Sequence, residues 1–246
     1  MPGLRPPLEP VSLAGGGLGR VAVVIPTWNE AEAIGPVVRE VLAQGVGQVI
    51  VADGSSRDGT AGIASDAGAM VIDAGKGYGR ACHLGAQAAA PGHDVIAFMD
   101  GDGADRPDQL AMLCAPVLAG QRDFTIASRT RGVREPGSMN WHQVAAGAMA
   151  GRLMGMLYGV GYTDMCALRV ITRSALGGLD MQEMTYGWNI EMQMKAARAR
   201  LRIQEFPVPY RVRAAGCSKV AGSLQGTLRA GSKIVTTFVR VATTRS

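Results

Sequence analysis

The stretch VAVVIPTWNEAEAIGPVVREVLAQGVGQVIVADG, residues 21–54, sets two β-rich apolar runs, VAVVIP (21–26) and QVIVAD (48–53), on either side of an amphipathic segment at about 30–44. Neither run alternates apolar with polar residues, so each reads as a strand buried on both faces. Similar runs recur at 69–73, 94–100 and 123–128, and helical patterns fill the gaps at about 58–67, 78–90 and 107–119. Buried strands separated by helices make the expected fold class α/β, a mainly parallel sheet covered by helices on both faces. Ligands of such sheets bind where the strands end at their carboxyl edge. A polar cluster follows each run there: PTWNE, DGSSRDGT, the GKGYG loop, DGDGAD and SRTRG.

Beyond Arg129 the pattern changes. A helical stretch rich in Gly, Ala and Met covers 141–158, a short segment lies at 164–171, and a helix is expected at about 187–200. A strand-like IQEFPV, a basic loop YRVRAAGCSK and a last amphipathic helix at about 221–241 complete the chain. The expected organisation is a flexible tail over 1–19, one domain over 20–220 and a C-terminal amphipathic helix over 221–246.

Composition narrows the function classes. With 246 residues, 47% of them hydrophobic, the chain can bury a substantial core. A net charge of +5 suits an anionic partner, whether nucleic acid, membrane surface or phosphorylated small molecule, without choosing among them. The four cysteines form no CxxC pair, which argues against a zinc site or disulfide framework and for a reduced, cytoplasmic setting. The Pro- and Gly-rich opening lacks the pattern of a signal peptide, and no apolar run approaches the roughly 18 residues of a spanning helix. Aromatics are 5% and no base-stacking platform is visible, against a nucleic-acid binder. GKGYGR is neither GxxxxGK[ST] nor GxGxxG, against a nucleoside triphosphatase or a dinucleotide oxidoreductase.

The polar clusters each carry two readings. Asp100 ends a buried strand and Asp102 follows after one glycine, so a bend can turn both carboxylates toward one divalent cation; turns are also rich in Asp and Gly. Asp105 and Asp108 flank Pro107, where a helix start favours negative charge. Asp58 reads as a helix cap, and Asp53 as an acceptor for a base or sugar. Lys76 sits among glycines whose N–H groups suit phosphate, or is simply solvated.

Taken in order, IPTWNE, VADGSSRDGT, KGYGRACHLGA, MDGDG and the Ser128–Arg129 pair resemble family-2 glycosyltransferases of the Rossmann-like GT-A fold. Within them the likeness is greatest to polyprenyl-phosphate sugar synthases of the dolichyl-phosphate mannose synthase type. TDMCALRVITRSAL, WNIEMQMKAA and IQEFPVPYRVRAAGCSK extend it over about 21–219. The resemblance implies an inverting transfer of a hexose from a nucleoside diphosphate sugar to a polyprenyl phosphate. Pro26, Thr27, Asn29 and Glu30 would line the nucleotide pocket, Asp53 would bind the base, and Lys76 and Gly77 the ribose or diphosphate. Asp100 and Asp102 would hold Mg2+ or Mn2+. Arg129 would meet the acceptor phosphate, and Ser218 and Lys219 would lie near the phosphates, with Lys219 stabilising the departing diphosphate. One departure stands out: many relatives carry a metal-completing glutamine where this chain has Ala104, which leaves the shell to Asp105 or to water and diphosphate.

Further candidates rest on chemistry alone. Arg131 and Arg134 can contact an acceptor phosphate, and Arg169 either joins them or pairs internally with Asp164. Glu191 forms a helix pair with Lys195 or, for a hydroxyl acceptor, is a candidate base. Leu224, Leu228, Val235, Phe238 and Val239 recur at helical spacing beside Arg229, Lys233 and Arg240. That suits peripheral contact with an anionic membrane, or a helix packed on the domain.

Overall fold

The computed structural model describes residues 17–214 and 224–244. Seven strands form one sheet in the order β3-β2-β1-β4-β6-β5-β7. They are β1 (Val21–Thr27), β2 (Gln48–Asp53), β3 (Met70–Asp73), β4 (Val95–Phe98), β5 (Phe124–Ser128), β6 (Arg169–Thr172) and β7 (Ile203–Pro207). All seven residues of β1 are buried, as its lack of polar alternation requires. The helices are α1 (Ala31–Leu42), α2 (Thr60–Asp66), α3 (Tyr78–Ala88), α4 (Leu110–Leu118), α5 (Trp141–Tyr158), α6 (Arg173–Gly178), α7 (Trp188–Arg198) and α8 (Leu224–Thr243). In α1 the buried Ile34, Val37, Val38 and Val41 fall on one helical face, which packs into the core beside β1 and β2.

The α/β sheet expected from the sequence is present, with one exception to its parallel order. β6 lies antiparallel between β4 and β5, pairing Val95 with Thr172 and Phe124 with Ile171. Which edge a strand joins depends on contacts distant in sequence, so the local pattern, read only as a short segment at 164–171, gave neither the strand nor its direction. α6 is a further addition, begun by the Thr172 side chain, which accepts from the Ala175 N–H. Leu18 is buried in the core, so the described domain begins before Arg20.

Register fixes the ligand edge. Thr27 pairs with Asp53 and Asp53 with Asp73, so the ends of β1, β2 and β3 lie side by side. The chain leaving β4 carries Asp100–Asp102 to the same edge.

Candidate active site

A cavity of about 370 Å³ opens at that edge, a size suited to a small-molecule substrate. Pro26, Thr27, Trp28 and Glu30 contribute from the end of β1, Gly54 from β2, Lys76, Gly77, Tyr78 and Ala81 from the loop and first turn of α3. Asp100, Gly101 and Asp102 follow β4, and Thr185, Tyr186 and Arg213 close the wall. Seven of the residues named from the sequence therefore come together: Pro26, Thr27, Glu30, Lys76, Gly77, Asp100 and Asp102.

The DGDGAD segment is held from several sides. Asp105 accepts the Asp100 N–H through Oδ2 at 3.0 Å, and Asp102 Oδ1 accepts the Ala104 N–H at 2.8 Å. The Tyr78 hydroxyl donates to Asp100 Oδ1 at 3.2 Å, and Arg213 Nη2 lies 2.6 Å from Asp102 Oδ2. Gly101 is required by close approach, since a Cβ there would lie 2.8 Å from the Thr27 methyl. Burial, then the charges of Asp102 and Asp105, push the Asp100 carboxyl up to about 8. Burial likewise raises Asp105, to about 6.

This concentration of buried carboxyl groups, which repel one another when ionised, fits a hard divalent cation. Asp100 and Asp102 supply carboxylates to the cavity, whereas Asp105, 4% exposed, does not line it and braces the bend. Ala104 contributes only backbone. Among the described residues no group of three His, Cys, Asp or Glu side chains is set to hold a metal, so further ligands for an ion on Asp100 and Asp102 would have to be oxygens of diphosphate and water.

The glycine-rich loop has a packing reason beside its place in the cavity wall. A Cβ at Gly77 would lie 2.6 Å from the Met184 carbonyl oxygen, and one at Gly79 2.3 Å from that of Glu183. The Arg80 N–H donates to Met184 O at 2.9 Å. The glycines thus bring the 183–186 segment against α3, which places Thr185 and Tyr186 in the wall.

Other named residues lie off the cavity. Asp53, 5% exposed, accepts from the Ser56 N–H at 2.8 Å and from the Ser56 hydroxyl at 2.6 Å, shaping the turn after β2. Asn29, at φ 52°, accepts the Arg57 N–H at 3.0 Å and ties the β1 loop to the same turn. Arg129 grips Asp164 with Nε and Nη2, each at 2.8 Å, and its guanidinium lies over the Tyr210 ring. Asp164 therefore pairs with Arg129 and not with Arg169; hydrogen bonds from Arg129 counter the effect of burial and hold its carboxyl below the usual range. Arg131 and Arg134 are exposed. Ser218 and Lys219 lie outside the described residues.

Two assignments need correction. Arg169 is wholly buried and donates to the carbonyls of Cys166 and Asn189, so no phosphate can reach it. Glu191 is also wholly buried, away from the cavity: Oε2 accepts the N–H groups of Gln182 and Glu183, and Oε1 meets Lys195 at 3.2 Å and Arg240 at 3.0 Å. It joins α7 to α8 and the 182–183 backbone and is not placed to act as a base. Sequence reasoning missed Trp28, Tyr78, Thr185 and Tyr186 as wall residues and gave Arg213 only as one of the cationic loop residues. Trp28 and Tyr78 sat within quoted motifs, while Thr185 and Tyr186 carried no signal.

A Rossmann-like sheet with an Asp-x-Asp turn, an IPTWNE segment and a lysine around one edge cavity is the arrangement of the GT-A fold. Residues 22–178 match the family Glycosyl transferase family 2, and the chain belongs to it. It is 34% identical over 213 residues to an uncharacterized glycosyltransferase of Mycobacterium tuberculosis, covering 85% of this chain and 93% of the relative. It is 32% identical over 228 residues to the undecaprenyl-phosphate mannosyltransferase of Micrococcus luteus, covering 84% and 90%. The fold is shared with glucosyl-3-phosphoglycerate synthase of Mycobacterium tuberculosis, whose complex with Mn2+, UDP-glucose and phosphoglyceric acid superposes at a TM-score of 0.73 and 20% identity, over 92% of this chain and 80% of that one. The protein is thus a family-2 glycosyltransferase.

Proposed function

We propose that this glycosyltransferase moves a hexose, with inversion, from a nucleoside diphosphate sugar to a polyprenyl phosphate at the cytoplasmic face of a membrane. The observation that carries the reading is the cavity itself, where Glu30, Lys76, Asp100 and Asp102 converge. Glu30 and Trp28 flank the nucleoside, and Lys76 meets ribose or diphosphate. Asp53, read from the sequence as the base ligand, holds the Ser56 turn that follows Gly54, and Asn29 ties the β1 loop to the same turn. Mg2+ or Mn2+ held by Asp100 and Asp102 would neutralise charge on the diphosphate as it leaves. Lys219 and Ser218 add donors to the phosphates from the basic segment.

A phosphate acceptor is already anionic, so it needs positioning more than a base. Arg129, oriented by Asp164, and the exposed Arg131 and Arg134 form the cationic approach. A lipid acceptor is favoured by α5, where Trp141 (80%) and Met156 (82%) are exposed together with Met149, Leu153 and Leu157. No helix among the described residues is long and apolar enough to cross a membrane, so contact would be peripheral. The relative from Micrococcus luteus, an undecaprenyl-phosphate mannosyltransferase, supports the same acceptor class.

A second reading, a small phosphorylated acceptor, draws on the fold neighbour bound to phosphoglyceric acid. The two separate in one experiment: UDP- and GDP-hexoses are incubated with Mg2+ or Mn2+ and either undecaprenyl phosphate or 3-phosphoglycerate, and products are weighed by mass spectrometry. The expected product is a lipid-linked hexose. Transfer confined to phosphoglycerate would replace the leading reading with the second.

A further inference from the structure

Arg213 lies against the Asp102 carboxylate. Its Nη2 lies 2.6 Å from Asp102 Oδ2 and its Nη1 3.5 Å from Glu30 Oε1. Because Asp102 Oδ1 already accepts the Ala104 N–H, the guanidinium sits on the remaining oxygen of that carboxylate. The segment carrying it is fastened to the same turn: the Ala214 N–H donates to Asp102 O at 3.0 Å, and Arg211 Nε donates to Gly103 O at 2.6 Å. The backbone is therefore held beside Asp102, and the Arg213 side chain is 26% exposed. A divalent ion on that oxygen would lie beside the guanidinium and be repelled by it. Displacing the fork would cost a charge-assisted hydrogen bond and leave Arg213 with its longer contact to Glu30.

We propose that Arg213 is a resident counter-cation of Asp102 that keeps free metal out and yields to metal arriving with a nucleoside diphosphate. The incoming phosphate oxygens supply what the free ion lacks, a new partner for the displaced fork. Metal and nucleotide then enter together, and the aspartate pair retains a partner between turnovers. This rests on reading Asp100 and Asp102 as the metal pair.

The test is Mn2+ titration of metal-stripped protein, read by electron paramagnetic resonance, for the wild type, Arg213→Gln, Arg213→Lys and Asp102→Asn. Without nucleotide, Arg213→Gln should bind Mn2+ at least about tenfold more tightly than the wild type, the order set by one hydrogen bond to a charged group. Arg213→Lys, which keeps the charge but loses the fork, should fall between them. Saturating UDP or GDP should close or reverse the gap. Equal Mn2+ affinity in the wild type and both Arg213 variants, with loss only in Asp102→Asn, overturns the proposal and leaves the metal pair standing. No Mn2+ binding by any protein, with or without nucleotide, overturns both. Should Arg213→Gln fail to fold, the Arg213→Lys comparison decides alone, equality with the wild type being the adverse result.

Discussion

At the scale of single residues, Asp100 is perturbed more strongly by its surroundings than the neighbouring Asp105. Its carboxyl is pushed from 3.8 up to about 8, chiefly by burial. The folded protein thus keeps a proton that the unfolded chain releases, so the associated stability is full below about pH 4 and is lost as pH rises through about 8. Asp100→Asn removes that loss. In metal-stripped protein the Tm of the variant, relative to the wild type, should rise between pH 5 and pH 8, by about 2–4 °C for each kcal/mol relieved. Parallel melting curves across that range would refute the raised pKa. Hexose transfer by the same variant should fall at least about a hundredfold, since the proposed metal ligand at the leaving group is lost. The residue pair Arg129–Asp164 behaves differently, because Arg129→Ala leaves a buried carboxylate without its partner; a loss of about 3–5 kcal/mol in denaturant unfolding is expected. These residues were legible in unequal measure. Asp100 and Asp102 stood out as a metal pair only once the other motifs were read with them, whereas the choice of Arg129 over Arg169 as partner of Asp164 depended on the fold, which engages the wholly buried Arg169 with the carbonyls of Cys166 and Asn189.

At the scale of elements, α8 explains why Glu191 is buried. Glu191 receives Arg240, and Glu183 receives the Thr237 hydroxyl at 3.0 Å and Lys233 at 3.4 Å. Two of the basic residues that the sequence offered to lipid headgroups are thus turned partly inward, while Val235 and Val239 remain exposed. Glu183 also stands two residues before Thr185, whose N–H and hydroxyl it accepts. α8 therefore braces the cavity wall through the 183–186 segment. Removing residues 224–246 should lower nucleotide affinity in calorimetry as well as Tm; a truncated protein with unchanged nucleotide binding would sever that link. Glu191→Gln should lower Tm while leaving kcat per folded molecule unchanged, and a large fall in kcat at constant Tm would restore it as a base. The amphipathic pattern of α8 was readable in sequence, but its partners were not, since they lie about fifty residues away in the chain.

At the scale of the whole molecule, the cavity edge, the cationic loop after β5 and the apolar side of α5 form the route proposed for a lipid phosphate. Arg198 ties the ends of two surface helices, bonding the Tyr158 hydroxyl of α5 at 3.2 Å and the Thr244 carbonyl beyond α8 at 3.0 Å. Met156→Glu with Leu157→Glu should reduce sedimentation with anionic vesicles and leave Tm unchanged, because both side chains are exposed. Failure of the wild type to bind such vesicles would remove the membrane from the proposal.

The sequence by itself determined the α/β class, the edge at which ligands bind and the motifs that define the family. Buried strands need unbroken apolar runs, and tight turns at their ends need Gly and Asp, so both leave local marks. Only the tertiary structure decided that β6 runs antiparallel, that Glu191 and Arg169 are internal, that Asp105 braces the bend, and that Thr185, Tyr186 and Arg213 complete the cavity. Those outcomes depend on which distant groups meet inside the fold, where a buried charge must find a partner, and no local spacing specifies that partner.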